Sequence, residues 1–441
     1  MNNYPDRWLV QSLAEVADRH PNSLVDGPFG SNLKTNEYTN EGVRLIQLQN
    51  IGDGVWLDEN KKFTSEKKYK ELIRHAAFPG DIAIAKMADP IARACIIPPV
   101  SARFLVVADC IKLTPDKAKY HSQYLVYAIN DQWFRKQAEQ RSTGTTRQRI
   151  NLSKLKTLNL LVPPVEEQGS IAKLLSTTDE AIQRTEQLIV KLKAIKQGLL
   201  DDLLTLGLDE SGLLRDPIAH PEQFKDSPLG RIPKEWDVTD LSRAAVKIQD
   251  GTHFSPKSKG GPFRYLTSRN IRFGYIDLSE CGWIDEKEHN AIYLRCDVRC
   301  GDVLLTKDGV NTGNAAINTF QEPVSLLSSV AFVRCDGHLL DKDYLLQFFL
   351  SPICQQRFKD LMSGNAITRL TLQKIKSFSI PLPNISEQTR IGTSAKSCDN
   401  KINAEQHCLT KLKLIKKGLM HDLLTGKVRI KIDDDPRNEY T

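Results

Sequence analysis

A helix-like sequence of fifteen residues occurs twice in this chain. Residues 191–205 read KLKAIKQGLLDDLLT and residues 411–425 read KLKLIKKGLMHDLLT, with eleven of fifteen positions identical. The two phrases are 220 residues apart in a chain of 441. This offset is far longer than the period of a solenoid repeat, which is roughly 20 to 50 residues. The sequence therefore predicts one large unit that is duplicated in tandem.

The same offset recurs elsewhere in the chain. Matching pairs are Asn50-Ile51 with Asn270-Ile271, Tyr124-Leu125 with Tyr344-Leu345, and Glu167-Gln168 with Glu387-Gln388. The first part of each copy contains short apolar runs, such as DIAIA and DVLLT, next to Gly and Pro. Such runs are typical of strands that end in turns, and helical patches lie between them. We therefore expect a mixed α/β (α+β) fold in each copy, with no prediction of strand order.

The second part of each copy predicts a long amphipathic helix. Seam positions recur at alternating steps of four and three, which is the a/d spacing of a coiled coil. Thr178 and Thr185 in the first copy, and Cys398 and Glu405 in the second, occupy seam positions between the apolar residues. The predicted seam residues are Ile171, Leu175, Ile182, Ile189 and Leu192 in the first copy, and Ile391, Ala395, Ile402, Leu409 and Leu412 in the second. A lone helix of this length would leave its seam in water, so we expect the two helices to form an antiparallel coiled coil. Packing of each helix on its own globular part is the alternative.

Composition narrows the possible partners and location. The net charge of +7 and the pI near 8.8 permit a nucleic-acid partner without requiring one. No apolar run approaches the ~18 residues of a membrane span, and the first residues lack the pattern of a secretory signal. Nine cysteines in a chain without such a signal suggest a reducing compartment, so we expect a cytoplasmic protein.

Known catalytic motifs are missing from the sequence. It contains no G-x-x-x-x-G-K-[ST] phosphate loop, no Asn/Asp-Pro-Pro-aromatic motif of an amino methyltransferase and no G-x-S-x-G elbow. Cys296 and Cys300 are the closest cysteine pair, and no second pair completes a zinc set. We therefore expect no catalytic residue and no metal. An enzyme with an unrecognised centre, and an adaptor with two interaction domains on a helical rod, are the alternatives.

Three kinds of loop in both copies suggest contact with DNA. These are a loop that begins with Asp-Gly, the loop that follows an apolar strand, and a basic segment with Gly before Arg. Lys, Asn and Thr reach phosphates and base edges, and Arg is the commonest reader of guanine. The candidate DNA-binding residues are Ser31, Asn32, Lys34, Lys86, Arg93, Arg141, Thr143, Thr145, Arg147 and Arg149 in the first copy, and His253, Lys257, Lys307, Asn311, Thr312, Asn365, Thr368 and Arg369 in the second. For any single loop, an ordinary solvated surface is the alternative.

Taken together, these motifs resemble the specificity (DNA-recognition) subunit of type I restriction–modification systems. The resemblance covers nearly the whole chain. It rests on DGPFGSNLK at 26–34, the Pro-to-Glu-Gln joints at 163–168 and 383–388, DSPLGRIPKEW at 226–236, and the two K-L-K-x-I-K phrases. One departure lies in the loop after the first apolar strand, where Ala88 and Ala92 occupy the positions of Gly309 and Gly313 in the second copy.

The resemblance implies a non-catalytic subunit of an adenine-specific DNA methyltransferase and ATP-dependent endonuclease that defends against foreign DNA. Each of two target-recognition domains would read one half of a bipartite site in double-stranded DNA. The paired helices would set the spacing and bind two modification (methyltransferase) subunits, and restriction (translocase/endonuclease) subunits would join the complex. S-adenosylmethionine, ATP and Mg are then expected on the partner subunits, with no cofactor on this chain. A two-domain adaptor without a methyltransferase partner is the alternative.

This interpretation divides the chain into six segments. They are a first target-recognition domain (1–164), a central spacer helix (165–205), a linker (206–235), a second target-recognition domain (236–384), a distal spacer helix (385–426) and a C-terminal tail (427–441).

Overall fold

The structure is a computed structural model that describes residues 5–87, 90–144, 148–258, 260–362 and 369–430. The chain forms two compact units. Unit 1 comprises Met1–Thr185 with Cys408–Thr441, and unit 2 comprises Glu186–His407. Among the described residues, no helix is long and apolar enough to cross a membrane.

Unit 1 contains three sheets and four short helices before the first long helix. Its strands are β1 Leu9–Ser12, β2 Leu24–Asp26, β3 Tyr38–Thr39, β4 Val43–Ile46, β5 Phe63–Thr64, β6 Ala76–Ala77, β7 Ile82–Ala85, β8 Ala94–Ile96, β9 Phe104–Val106, β10 Cys110–Leu113 and β11 Asn159–Val162. Its short helices are α1 Glu66–Glu71, α2 Ser122–Asn130, α3 Gln132–Arg141 and α4 Leu152–Leu155, and the long helix α5 is Val165–Thr205. The strand orders are β3-β5-β4-β9-β6, β2-β10-β7-β8 and β1-β11.

Unit 2 repeats two of these sheets, has a three-stranded sheet in place of the five-stranded one, and adds a two-stranded pair. Its strands are β12 Phe224–Ser227, β13 Gly230–Pro233, β14 Asp237–Asp240, β15 Lys247–Asp250, β16 Phe263–Leu266, β17 Gly282–Ile284, β18 Val303–Thr306, β19 Ala315–Ile317, β20 Val324–Leu326, β21 Val330–Arg334 and β22 Ser379–Leu382. Its helices are α6 Leu241–Ala244, α7 Glu286–Tyr293, α8 Lys342–Leu350, α9 Pro352–Met362, α10 Leu372–Lys376 and the long helix α11 Ile385–Leu424. The order β15-β21-β18-β19 corresponds to β2-β10-β7-β8, and β14-β22 corresponds to β1-β11. The three-stranded sheet has the order β17-β16-β20, and the added pair is β12-β13.

The sequence explains the central strands of the four-stranded sheets. All four residues of β7 (IAIA) and of β18 (VLLT) are buried, as expected for short apolar runs without alternation. Gly80 and Gly301, shortly before these strands, have φ angles of 89° and 92°, which favour glycine. The parallel pairs also repeat, because Arg44 pairs with Phe104 and Arg264 pairs with Val324, each at offset 220. The expected mixed α/β fold is confirmed.

The two long helices pack against each other in each unit. In unit 1 the start of α5 (Ile171 and Leu175) shares a core with the end of α11 (Leu423 and Leu424). In unit 2 the end of α5 shares a core with the start of α11. Because the start of each long helix packs against the end of the other, the two helices are antiparallel. This confirms the predicted helix pairing. Six predicted seam residues are buried, namely Ile171, Leu175, Ile189, Ile391, Ala395 and Ile402. The other four, Ile182, Leu192, Leu409 and Leu412, are half-buried.

One ion pair between the helices is made twice. Lys416 Nζ lies 2.5 Å from Asp179 Oδ1 in unit 1, and Lys196 Nζ lies 2.6 Å from Asp399 Oδ1 in unit 2. Both residues of the second pair are the offset-220 partners of the first. In each unit the same aspartate also accepts a hydrogen bond from the helix α2 or α8, at 2.8 Å and 3.0 Å. These contacts fix the helix register relative to the globular part of each unit.

A buried glutamate near the start of each long helix is held by an arginine. Glu167 and Glu387 are both 1% exposed. Arg429, which follows α11, donates to Glu167 at 2.6 Å, and Arg215, which follows α5, donates to Glu387 at 2.7 Å. Each arginine therefore comes from the segment that follows the other long helix, and it compensates a charge that would otherwise be costly to bury.

The arginines of the two Arg–Glu pairs differ in burial, and this difference gives a first prediction. The Arg215 side chain is 7% exposed and that of Arg429 is 42% exposed. We expect Arg215→Met to lower the free energy of unfolding by about 3 kcal/mol, because it leaves a buried charge without its partner. Arg429→Met should cost about 1 kcal/mol, because loss of the half-exposed arginine admits water to Glu167, which also keeps its hydrogen bond from Trp8 Nε1. Urea unfolding of the full-length variants, followed by circular dichroism, measures both. An equal decrease in the free energy of unfolding for both variants would show that the burial of the arginine does not set its contribution to stability.

Candidate nucleic-acid interface

The three predicted loop regions meet in unit 1. Lys86 Nζ lies 2.9 Å from Asp26 Oδ2 and donates to the Ala108 carbonyl at 3.1 Å. Met87 forms a β-bridge with Arg149, and Ile150 donates its backbone N–H to the Lys86 carbonyl at 3.0 Å. We call the described residues of 26–34, 86–93 and 141–150 the unit 1 loop cluster. Segments more than 50 residues apart in the chain are thus held together by direct bonds.

Unit 2 repeats the same contacts. Lys307 Nζ lies 3.2 Å from Asp250 Oδ2. Asp308 forms a β-bridge with Arg369, and Leu370 donates its N–H to the Lys307 carbonyl at 2.8 Å. We call the described residues of 250–258, 307–314 and 369–370 the unit 2 loop cluster. The same three loops are therefore joined by corresponding bonds in both units.

The Asp-Gly loops are pressed closely against neighbouring backbone. A Cβ at Gly27 would lie 2.0 Å from the Val107 carbonyl carbon, and one at Gly251 would lie 2.1 Å from the Leu326 oxygen. Only glycine fits such an approach. In unit 1, His75 Nδ1 also lies 2.6 Å from the Asp26 carbonyl, and burial lowers the pKa of His75, which favours the neutral ring with its N–H directed at that carbonyl. The loop is therefore held in one position.

The loop after β7 keeps its backbone shape despite the substituted glycine. Ala92 has a φ of 60° and Gly313 a φ of 95°. Ala92 donates its N–H to the Ala85 carbonyl at 3.2 Å, and Gly313 makes the corresponding bond to Thr306 at 2.9 Å. A left-handed alanine costs roughly 1 to 2 kcal/mol, so the surrounding contacts outweigh this strain. Ala88, the other substituted position, lies outside the described residues.

The predicted DNA-binding residues fall into three groups. The exposed residues are Ser31, Asn32, Lys34, Arg141, Thr143, Arg149, His253, Lys257 and Arg369. The buried or half-buried residues are Lys86, Arg93, Lys307, Asn311 and Thr312. The residues outside the described part of the chain are Thr145, Arg147, Asn365 and Thr368. For the first two groups, contact with DNA stays a prediction.

The inward-facing group holds the loops in place. Lys86 and Lys307 make the ion pairs described above. Arg93 donates from Nε to the Ile51 carbonyl at 2.5 Å, and Asn311 donates to the Ser268 carbonyl at 3.1 Å. A cation that is already paired inside the protein is a poor phosphate contact, so the exposed group is better placed to meet DNA.

The exposed arginines of unit 1 are oriented by neighbouring acceptors. Arg149 Nη2 lies 2.7 Å from Asp109 Oδ1, and Arg141 Nη1 donates to the Thr157 hydroxyl at 2.6 Å. Both guanidinium groups remain largely exposed and keep donors for a ligand. Among the described residues, no group of three or more His, Cys, Asp or Glu side chains is arranged to hold a metal ion.

A cleft of about 270 Å³ lies beside the unit 1 loop cluster. It is lined by Pro28, Gly30, Leu33, Tyr38, Gln47, Leu48, Gln49, Val107, Ala108 and Asp109. Gln49 is exposed, and it is absent from the predicted contact residues. Gln49 directly precedes Asn50-Ile51, which matches Asn270-Ile271 in the second copy. This repeated pair was the sequence feature that could have identified Gln49 as a candidate contact residue.

The fold and the duplicated clusters have counterparts in known proteins. Over 96% of the chain, the fold matches a crystal structure of the type I restriction–modification S subunit from M. genitalium, with a TM-score of 0.59, 17% identity and 97% of that chain covered. The family model for the type I restriction modification DNA specificity domain matches residues 32–194 and 286–414. The chain therefore belongs to the family of type I restriction–modification specificity subunits, which are non-catalytic subunits with two target-recognition domains.

Two relatives illustrate the similarity in sequence. The specificity subunit of the type I restriction enzyme MjaVIII from Methanocaldococcus jannaschii is 26% identical over 327 residues, which is 73% of this chain and 73% of that protein. The EcoBI specificity subunit from Escherichia coli is 23% identical over 398 residues, which is 88% of this chain and 78% of that protein.

The loop clusters generate a second prediction, which separates holding residues from contact residues. We expect Lys86→Met to lower the free energy of unfolding by about 2 kcal/mol, because it removes hydrogen bonds to a charged group. It should leave the salt dependence of DNA binding unchanged. Lys34→Met is the matched control: it should leave stability unchanged and reduce the log–log salt slope by about 0.9 if Lys34 contacts a phosphate. Urea unfolding and DNA binding over a salt series measure these effects. A reduced slope without destabilisation in Lys86→Met would contradict the holding role.

Proposed function

We propose that this chain reads a bipartite DNA target, with unit 1 and unit 2 each reading one half. The observation that carries the proposal is that the same three-loop cluster is built twice with different exposed residues. Arg149 and Arg369 are exposed at corresponding positions, but the Asp-Gly loops differ. Lys34 is exposed in unit 1, and His253 and Lys257 are exposed in unit 2. Because the framework is shared and the exposed groups differ, the two half-sites should differ in base sequence.

The charge of the chain supports a DNA ligand. The net charge is +7, and each cluster presents exposed cations. Phosphate contacts from such residues position a protein on the duplex and make its affinity depend strongly on salt. Contacts to base edges then add the sequence preference.

We further propose that the long helices bind modification subunits through an apolar stripe on each. Leu188, Ile195 and Gly198 of α5 are exposed and lie on one face, at spacings of seven and three. Cys408, Ile415 and Gly418 of α11 are exposed at the offset-220 positions. Ile195 is 60% exposed and Ile415 is 53% exposed. Equivalent apolar stripes suit two copies of the same partner.

The glycines of these stripes support a closely packed partner. A Cβ added at Gly198 or Gly418 would meet no atom within 4 Å. Glycine inside a helix costs about 1 kcal/mol relative to alanine, so the chain itself gains nothing from it there. A partner whose backbone approaches the helix would account for both glycines.

The division of chemistry follows from this assembly. Modification subunits would bind S-adenosylmethionine and turn the target adenine out of the duplex. Restriction subunits would bring ATP, Mg and cleavage. The paired helices would set the distance between the half-sites, and the complex would act in the cytoplasm.

The modular interpretation can be tested by domain exchange. The chain is co-expressed with its modification subunit, and methyladenine is mapped across the host genome. We expect a two-part motif. Replacing residues 8–162 with the corresponding domain of another family member should change one half of the motif and leave the other unchanged. A change in both halves would contradict the separate reading of half-sites by the two units.

The stripe makes a prediction in which stability and binding change in opposite directions. We expect Gly198→Ala and Gly418→Ala each to raise the free energy of unfolding of the free chain by about 1 kcal/mol. Both should weaken binding of the modification subunit, because a methyl group enters the contact. Urea unfolding measures the first effect, and isothermal titration calorimetry with purified modification subunit measures the second. Gln183→Ala, on a different exposed face of α5, is the control that should leave binding unchanged. Unimpaired binding by both glycine variants would contradict the proposed stripe.

A further inference from the structure

One turn has the same internal bonds in both units. It follows β4 in unit 1 and β16 in unit 2, and it is built around the buried residues Asn50 and Asn270. In each turn the asparagine Oδ1 accepts from the backbone N–H three residues earlier, at 3.0 Å and 2.9 Å. Its Nδ2 donates to the carbonyl seven residues later, at 3.0 Å in both. The backbone of the turn is therefore fixed in the same way twice.

The turn is bonded to the loop cluster in each unit. Arg93 donates to the Leu48 carbonyl at 2.9 Å, and Asn311 donates to the Ser268 carbonyl at 3.1 Å. Positions 48 and 268 correspond at offset 220. In unit 1 the turn also lines the cleft together with Gly30 and Asp109. The turn therefore belongs to the surface that presents the exposed candidate contacts.

The residue just before each buried asparagine is exposed and differs between the units. It is Gln49 in unit 1 and Arg269 in unit 2. Within the part of the chain that the structure describes, neither side chain makes a hydrogen bond or ion pair to another residue. A Gln amide forms two hydrogen bonds with adenine in the major groove, and an Arg guanidinium forms two with guanine. A residue that reads a base needs a fixed backbone and an exposed polar side chain, and positions 49 and 269 have both.

We propose that Gln49 and Arg269 are specificity-determining residues at equivalent positions, and that Gln49 reads an A·T pair and Arg269 a G·C pair. This inference rests on the proposed function, because it assigns bases to residues within the two half-sites. Exchanging the two side chains should exchange the two preferences, since the backbone that carries them is the same.

The test uses the full chain co-expressed with its modification subunit and reads the methylation motif. Gln49→Arg should replace A·T by G·C at one position of the half-site read by unit 1, and Arg269→Gln should replace G·C by A·T in the other half-site. On purified duplexes that differ only at that pair, the methylation rate should shift in favour of the new base by roughly 5- to 150-fold. Gln223→Arg, which makes the same change at an exposed position outside the clusters, should leave the motif unchanged.

Each outcome has a defined meaning. A wild-type motif without two halves would overturn the proposed function itself. A two-part wild-type motif that stays identical in both exchange variants would overturn this inference alone. If Gln49→Arg gives no methylation, Gln49→Ala decides: a motif relaxed at a single position supports the assignment, and an unchanged motif overturns it.

Discussion

Antiparallel pairing of α5 and α11 completes the hydrophobic core of each unit. Each helix carries an apolar seam, and burying one such side chain stabilises the fold by roughly 1.5 to 3 kcal/mol. The duplicated Asp–Lys pairs fix the register of this contact. As a consequence, the core of unit 1 includes Leu423 and Leu424, more than 200 residues after its last strand. Unit 1 can complete its core only when almost the whole chain has been made, whereas unit 2 is continuous in sequence.

Periodicity made much of this architecture predictable. The 220-residue offset, the two helices and the mixed α/β texture are properties of local pattern, and they could be deduced without coordinates. Strand order could not, because the parallel pair of β4 and β9 joins segments about 60 residues apart and no local pattern encodes such pairing. The same limit applies to Lys86. Its sequence context is that of an exposed loop lysine, and partners distant in sequence, the Asp26 carboxylate and the Ala108 carbonyl, turn it inward.

Buried polar groups fix the backbone conformation of both loop clusters. Lys86, Lys307, Asn50 and Asn270 are buried, and each is paired with a polar group inside its unit. Leaving such groups unpaired is expensive, so they fix a single backbone arrangement. Even Ala92 adopts the left-handed conformation of its glycine counterpart, which indicates that the surroundings determine the loop and not the local residue.

Under the proposed function, this division of labour explains how one framework would read two half-sites. A side chain at position 49 or 269 projects from a turn whose shape is set by its buried neighbour, so changing it leaves the internal bonds intact. Substitutions at exposed positions of this kind usually alter stability by less than about 0.5 kcal/mol. Recognition can therefore diverge between the two units at little cost in stability. The helices can diverge far less, because a change in their seam or ion pairs would disturb the core or the helix contact of the unit that contains it.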